Sequence, residues 1–375
     1  MQGETYVKLR YKIGLGILVV LAFAIVSLAA VLSYEVPCEP VPAVTSGETM
    51  KAITGRCYGS PDVLVLDEIE NPEPVGKQQL IKVKAAAVNP LDSHYMRGSH
   101  YIMRLGSGIR APKELRLGVD FAGVVEAVGE DVTQFNPGDA VFGRRTGAFG
   151  EYVVVEEGRA VVHKPDNASF EQAAAVPIAA ITALQALRDS GGVDAGDKVL
   201  INGASGGVGT YAVQIAKSMG AEVHGVCSTR NVEMVRSLGA DRVIDYKKEN
   251  YTHGDVKYDV IIDNVGNHSL MTNRRVMADD GILVIVGGSP GDWLGPLMRP
   301  LGALIVSPMV SQQFLPFLAR ISRDDLQVLA DLMETGEMSS VIDRRYSLDD
   351  VPEAIRYSES GRARGKIIVT VDSSE

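Results

Sequence analysis

The sequence predicts an α/β fold: a doubly wound parallel sheet inserted into a β-rich unit, preceded by one transmembrane helix. Three observations predict it. Residues 198–227 run strand, glycine turn, helix, strand; residues 50–172 are strand-like and rich in turns; residues 13–32 carry no charge. The corresponding divisions are an anchor at 1–34, a linker at 35–49, the first part of the β-rich unit at 50–172, the parallel-sheet domain at 173–310, and a return to the β-rich unit at 311–375.

From Ile13 to Leu32 there are 20 uncharged residues, and Ser27 is the only clearly polar side chain. As a helix they would extend ~30 Å, the thickness of a hydrocarbon core. A cleaved signal peptide is the other reading, but its apolar core is usually only ~7–15 residues and a small-residue cleavage site should follow. An uncleaved single-pass anchor is therefore expected. Lys8, Arg10 and Lys12 before the run, with Glu35 and Glu39 after it, favour a cytoplasmic N-terminus and an exported remainder. The chemistry inferred below favours the opposite, with the catalytic domain on the cytoplasmic side. Residues 35–49, with Pro37, Pro40 and Pro42, read as an extended linker.

Lys plus Arg (37) against Asp plus Glu (47) give a net charge of -10. Residues 1–34 hold Glu4, Lys8, Arg10 and Lys12, a net +2, so the remainder carries -12. Nucleic acid, whose phosphates need a basic surface, is excluded as a partner. Cys38, Cys57 and Cys227 are too few for a disulfide framework or a four-cysteine zinc site, and favour a reducing compartment. With 46% hydrophobic and 22% charged residues, a packed core is expected.

Val199, Leu200 and Ile201 form the short apolar run of a strand buried on both faces. Gly203, Gly206 and Gly209 follow at spacing three. Val208, Ala212, Ile215, Ala216 and Met219 then share one helix face, and Gly220 is placed to end that helix as a left-handed cap. A second strand, Glu222–Cys227, begins directly afterwards. In this context the run Gly203-Ala204-Ser205-Gly206-Gly207-Val208-Gly209 predicts a dinucleotide site. Glycines let the backbone approach a pyrophosphate, whose charge meets free amides and the positive helix end. Asn231 opens a helix ending at Gly239, and strands follow at 242–246, 258–263 and 281–286. Asn264, Val265 and Gly287 lie just past the last two, where ligands of open α/β sheets sit.

The end of the second strand selects the coenzyme. A carboxylate there would bind the ribose 2′-hydroxyl of NAD and repel a 2′-phosphate. This chain has Ser228, Thr229 and Arg230 instead, two hydroxyls and a guanidinium suited to that phosphate. NADPH is expected, and NADH less so.

The run 203–209, the stretch Leu238-Gly-Ala-Asp-Arg-Val-Ile-Asp-Tyr246, Gly118-Val-Asp-Phe-Ala-Gly-Val-Val125, Asn89-Pro-Leu-Asp92 and Gly361-Arg-Ala-Arg-Gly-Lys-Ile-Ile368 resemble the medium-chain dehydrogenase/reductase superfamily. The branch they resemble most is that of the zinc-free quinone oxidoreductases, over about residues 50–372. The resemblance implies a doubly wound Rossmann domain inserted in a GroES-like β-rich catalytic domain, with the active site in the cleft between them. It also implies Thr182 near the nicotinamide amide, Tyr246 as a second contact to the adenosine phosphate, and a possible homodimer. Zinc-dependent members carry Gly-His-Glu where this chain has Gly118-Val119-Asp120, and their first cysteine ligand falls at Asn89. Val119 has no donor and Asn89 is a poor ligand, so no zinc is expected.

Without a Lewis acid, the suitable hydride acceptors are already activated, as quinones and α,β-unsaturated carbonyls are. The expected function is zinc-independent, NADPH-dependent reduction of such a small molecule. Candidate catalytic groups cluster at Asn89, Asp92, His94 and Tyr95. Read as a strand, Asn89, Leu91, Ser93 and Tyr95 share one face, and Asp92 and His94 the other. Asn89 is expected to bond coenzyme or substrate. His94, aligned where relatives often have Tyr, is a proton donor suited to neutral pH. A reading from another class is a membrane-tethered, catalytically weak NADPH-binding redox sensor or scaffold.

Overall fold

The computed structural model describes residues 2–38, 40, 47–288, 291–293 and 295–371, without the side chains of 2–14, 17, 18, 296 and 297. Most of the expected linker, 39 and 41–46, lies outside the described residues. β1 (Thr49–Gly55) and β2 (Leu64–Glu70) form an antiparallel pair. β3 (Gln78–Val88), β4 (Asp120–Val128), β5 (Ala140–Arg144), β6 (Tyr152–Glu156) and β7 (Val161–His163) build an antiparallel sheet. Along β3 buried and half-exposed residues alternate until Lys84, and Ala85–Val88 are then buried on both faces. That switch marks where β3 runs under the second unit.

The second sheet comprises β8 (Lys198–Asn202), β9 (Glu222–Cys227), β10 (Arg242–Asp245), β11 (Tyr258–Asp263), β12 (Met277–Ile285) and β13 (Gln313–Pro316). All its pairings are parallel, in the order β10-β9-β8-β11-β12-β13. The order turns outward in both directions from β8 and β11, so a crevice opens beyond their carboxyl ends. β14 (Ile342–Ser347) and β15 (Lys366–Thr370) rejoin the first sheet, where β15 pairs antiparallel with β3 and sets Ile367 opposite Val88. Ala85, Ala87 and Ala122 of the first sheet share a core with Ile181, Leu184 and Val199, so both sheets pack through the helix Pro177–Gln185.

The anchor expected at 13–32 is corrected. A helix runs from Gln2 to Ser33, but no helix among the described residues is long and apolar enough to cross a membrane. Its last turn is also held by protein: Leu32 is buried, and Arg104 donates to the carbonyls of Leu32 and Tyr34 at 2.8 and 3.4 Å. The single-pass placement and the membrane partner fall with the anchor. The cysteine reading changes too. Cys38 and Cys57 form a disulfide with Cα atoms 4.8 Å apart, while Cys227 is free and buried. The count of cysteines therefore carries no compartment argument.

Candidate active site

The glycine turn is built by close backbone approach. Gly203 has φ +82°, and a Cβ at Gly209 would lie 2.1 Å from the Gly203 carbonyl oxygen. Gly206 caps the helix Gly207–Ser218 in an extended conformation, directing the first helical amides out of the crevice floor. Nearby, Asn231 donates to Ser205 Oγ at 2.9 Å and to Ser228 Oγ at 3.3 Å, while its Oδ1 is buried without a partner. Asn264 donates to the Asn202 carbonyl at 3.1 Å and likewise leaves Oδ1 unpartnered. Two orphaned acceptors beside a bare-amide turn fit a polar, hydroxyl-rich ligand such as a dinucleotide.

At the far end of this crevice, Arg230 donates to the Arg362 carbonyl at 2.5 Å, and Tyr246 is 54% exposed with the Lys247 ammonium 5.2 Å from its ring centroid. A carboxylate does approach here: Asp245 sits in register with Cys227. Thr229 donates to it at 2.7 Å and the Lys247 amide at 3.0 Å, and the Thr229 bond holds it below the usual carboxylate range. Its oxygens are thus engaged by its own loop. At the opposite end, buried Asp263 gathers the strand termini: Asn202, Val265, Gly266 and Arg299 all donate to it, Arg299 at 2.6 Å. A Cβ at Gly287 would lie 2.3 Å from the Asn264 carbonyl oxygen, so only glycine fits there. Thr182 is 9% exposed and donates to the Ile178 carbonyl at 2.7 Å.

On the catalytic side, residues 90–97 form a helix rather than the expected strand. The reason is legible in Asn89-Pro90-Leu91-Asp92: Asn89 is the N-cap, Pro90 takes the first turn where no N–H is needed, and Asp92 accepts from the Asn89 amide at 2.7 Å. Gly98, at φ +60°, ends the helix. Helical spacing separates the candidate residues differently. Asn89 and Asp92 are buried. The His94 ring centroid lies 4.8 Å from that of His100, and its Nδ1 is 3.3 Å from Ser99 Oγ. Burial first, and His100 second, hold His94 below the ordinary histidine value. His100 Nδ1 lies 3.1 Å from the Gly291 carbonyl oxygen, the Tyr101 amide donates to Asp292 at 3.1 Å, and the Tyr101 and Trp293 rings lie 4.8 Å apart. Tyr95 points elsewhere, into a cavity of about 220 Å³ shared with Cys57, Arg116 and Thr146 and lined by no residue of the parallel sheet.

Asn89 does not present a free amide. Its Nδ2 donates to Asp120 at 2.9 Å and to the Ala87 carbonyl at 3.2 Å, and its Oδ1 accepts from Lys366 at 2.6 Å. Lys366, which the sequence reading missed, stands 3.9 Å from Asp120. Burial pushes Asp92 up to about 7 and Asp120 up to about 6, and pulls Lys366 down. Val119 brings no donor to this arrangement, and an ammonium already bonds Asn89 and faces Asp120. No group of three His, Cys, Asp or Glu among the described residues is placed to hold a metal.

Comparison with known proteins places the chain. Residues 76–166 match the alcohol dehydrogenase GroES-like domain, and residues 238–369 match the family described as zinc-binding dehydrogenase. A 2-methylene-furan-3-one reductase of Solanum lycopersicum is 33% identical, over 90% of this chain and 83% of that protein. A chloroplastic NADPH-dependent alkenal/one oxidoreductase of Arabidopsis thaliana is 34% identical, over 85% of this chain and 79% of its own. The solved quinone oxidoreductase of Coxiella burnetii superposes with a TM-score of 0.76 at 31% identity, covering 87% of this chain and all (100%) of that one. With its two sheets, its glycine turn and these relatives, the chain belongs to the medium-chain dehydrogenase/reductase superfamily, in the quinone oxidoreductase-like branch.

Proposed function

We propose that this oxidoreductase reduces a quinone or an α,β-unsaturated carbonyl with hydride from NADPH, and does so without zinc. The observation that carries the reading is the meeting of two halves in one cleft. The glycine turn at 203–209 touches β15 through the Gly365 amide, which donates to the Ser205 carbonyl at 2.9 Å, while β15 pairs with β3, whose end leads into the helix bearing His94. The names of the relatives, a furanone reductase, an alkenal/one oxidoreductase and a quinone oxidoreductase, support the substrate class.

NADPH, when bound, supplies the hydride; the residues of the chain bind, orient and manage the proton. Gly203, Ala204, Ser205, Gly206, Gly207, Val208 and Gly209 cradle the phosphates, and Ser228, Arg230 and Tyr246 meet the 2′-phosphate. Thr182, Asn264, Val265 and Gly287 border the nicotinamide end. Tyr101 and Trp293 wall the cleft against water, which strengthens every polar contact inside. Protonated His94 donates to the oxygen of the reduced substrate, and Asn89 and Asp92 fix the helix that carries it. Tyr95 serves the neighbouring cavity. The catalytic unit comprises 50–172 and the segment after β13, with the Rossmann domain between.

The test is single-turnover oxidation of NADPH by the full chain against a panel of quinones and enals, with metal analysis after dialysis. Consumption without stoichiometric zinc is expected. Binding of NADPH with no consumption by any acceptor would overturn the assignment.

A further inference from the structure

We propose that Lys366 is a positioning residue for hydride transfer. Its ammonium supplies the positive charge between Asn89 and Asp120, which stand at metal-site positions of zinc-dependent relatives, and it locks the helix Pro90–Arg97 against the glycine turn. The proposal deepens the function proposed above and rests on it.

The geometry is that of a strut. The lysine is 3% exposed, and its ammonium donates to Asn89 Oδ1 at 2.6 Å and to the Val88 carbonyl at 3.3 Å, with Asp120 Oδ2 at 3.9 Å. Two acceptors thus take its N–H groups, and the Asp120 carboxylate faces it as an ion pair. Its stem runs beside the nucleotide turn: a Cβ on Gly207 would lie 3.3 Å from Lys366 Cδ. The backbone just before it bonds the same turn, through the bridge between Gly206 and Gly365. One side chain thus touches the phosphate-binding turn with its methylenes and the cap of the catalytic helix with its charge.

The charge, rather than the bulk, is what the surroundings require. Asn89 has an amide with two possible orientations. Asp120 accepts from Nδ2, and Lys366 donates to Oδ1, so the two opposite charges select a single orientation. Asn89 is also the N-cap residue of the helix, and its backbone amide is held by Asp92. His94 lies one turn further on. Arg144 is the remaining charged group bearing on the two carboxylates. A neutral residue at 366 would leave Asp120 without the ammonium facing it and Asn89 Oδ1 without its donor.

The experiment compares wild type, K366M and the charge-neutral pair D120N/K366M in the full chain. K366M alone is expected to melt well below wild type, because a buried carboxylate loses its partner. The double variant should recover most of that loss. It should nevertheless turn over a quinone at least ~30-fold more slowly, with the KM for NADPH within ~3-fold of wild type and the acid limb of the kcat profile displaced. Recovery of wild-type kcat in D120N/K366M would show a purely structural ion pair and overturn the proposal. So would a loss confined to the KM for NADPH, which would make Lys366 a phosphate ligand. The second measurement needs no turnover: the His94 ring resonance, assigned through H94Q, should shift in the double variant while that of His224 does not. An unmoved His94 sinks the proposal even when wild type proves inactive with every acceptor, an outcome that sinks only the catalytic reading.

Discussion

The Arg104 guanidinium lies 4.3 Å from the centroid of the Tyr58 ring, with the Tyr101 ring 4.7 Å away. The residue is fully buried, and its hydrogen bonds go to the carbonyls of Gly98, Leu32, Tyr34 and Arg97 rather than to a carboxylate. It therefore joins the N-terminal helix, the loop after the catalytic helix and an aromatic wall of the cleft. R104M leaves these carbonyls without a donor and should cost about 3 kcal/mol. Urea unfolding checks this, and an unchanged midpoint contradicts it.

Asp92 predicts how stability varies with pH. Burial raises its folded pKa to about 7 from the ordinary 3.8. A raised acid favours the folded state below its unfolded value, and that contribution disappears as pH rises through about 7. Since each unit is worth ~1.4 kcal/mol, wild type should weaken from about pH 4 to about pH 7. D92N, which keeps an acceptor for the Asn89 amide, should flatten that slope and gain on wild type at pH 8 in thermal melts.

The glycine turn separates packing from binding. G209A forces a Cβ to 2.1 Å from the Gly203 carbonyl oxygen and should lower the melting temperature as well as abolish coenzyme binding. At Gly206 the nearest atom to a new Cβ is 3.4 Å away and φ is -85°, so G206A should melt near wild type. Its methyl would still obstruct the phosphate, weakening NADPH by at least ~10-fold in a fluorescence titration. Equal binding by G206A and wild type would move the phosphate site elsewhere.

Arg230 should govern coenzyme choice. A charge-assisted bond to a 2′-phosphate is worth roughly 1.5–3 kcal/mol, so R230A should raise the KM for NADPH ~10–100-fold. The KM for NADH should change by less than ~3-fold. A parallel rise for both coenzymes would remove Arg230 from phosphate recognition.

His94 should leave its mark on the pH profile. With its pKa held below the ordinary histidine value by burial, its charged form accumulates only at lower pH. A proton donated by His94 makes kcat rise as pH falls through that value. H94Q should flatten this limb; an unaltered limb assigns the proton to another group.

The nucleotide-binding turn was legible because its signals are local. Val199–Ile201, the glycine spacing and Gly220 are contiguous, and Gly220 takes the expected left-handed conformation at φ +84°. The helix Pro90–Arg97 was misread because eight residues give little periodicity; its cap signal at Asn89 and Asp92 outweighed the alternation. Lys366 was invisible for a different reason: it meets Asn89 across 277 positions of sequence. Arg104 and Cys57 likewise find partners that no spacing announces. The apolar run at 13–32 misled in the other direction, since hydropathy alone does not register the grip of Arg104 on Leu32.

The antiparallel pairing of β15 with β3 sets an order on synthesis. Strands β8 to β13 are consecutive along the chain, so the parallel sheet can assemble while later codons are still being read. The first sheet does so only in part: β3 finds β4 and β6 early, but its end at Ala85–Val88 keeps one edge unpaired until Lys366–Thr370 clears the ribosomal tunnel. Nascent chains stalled before that point should therefore engage chaperones through the exposed alanine ridge at Ala85–Ala87.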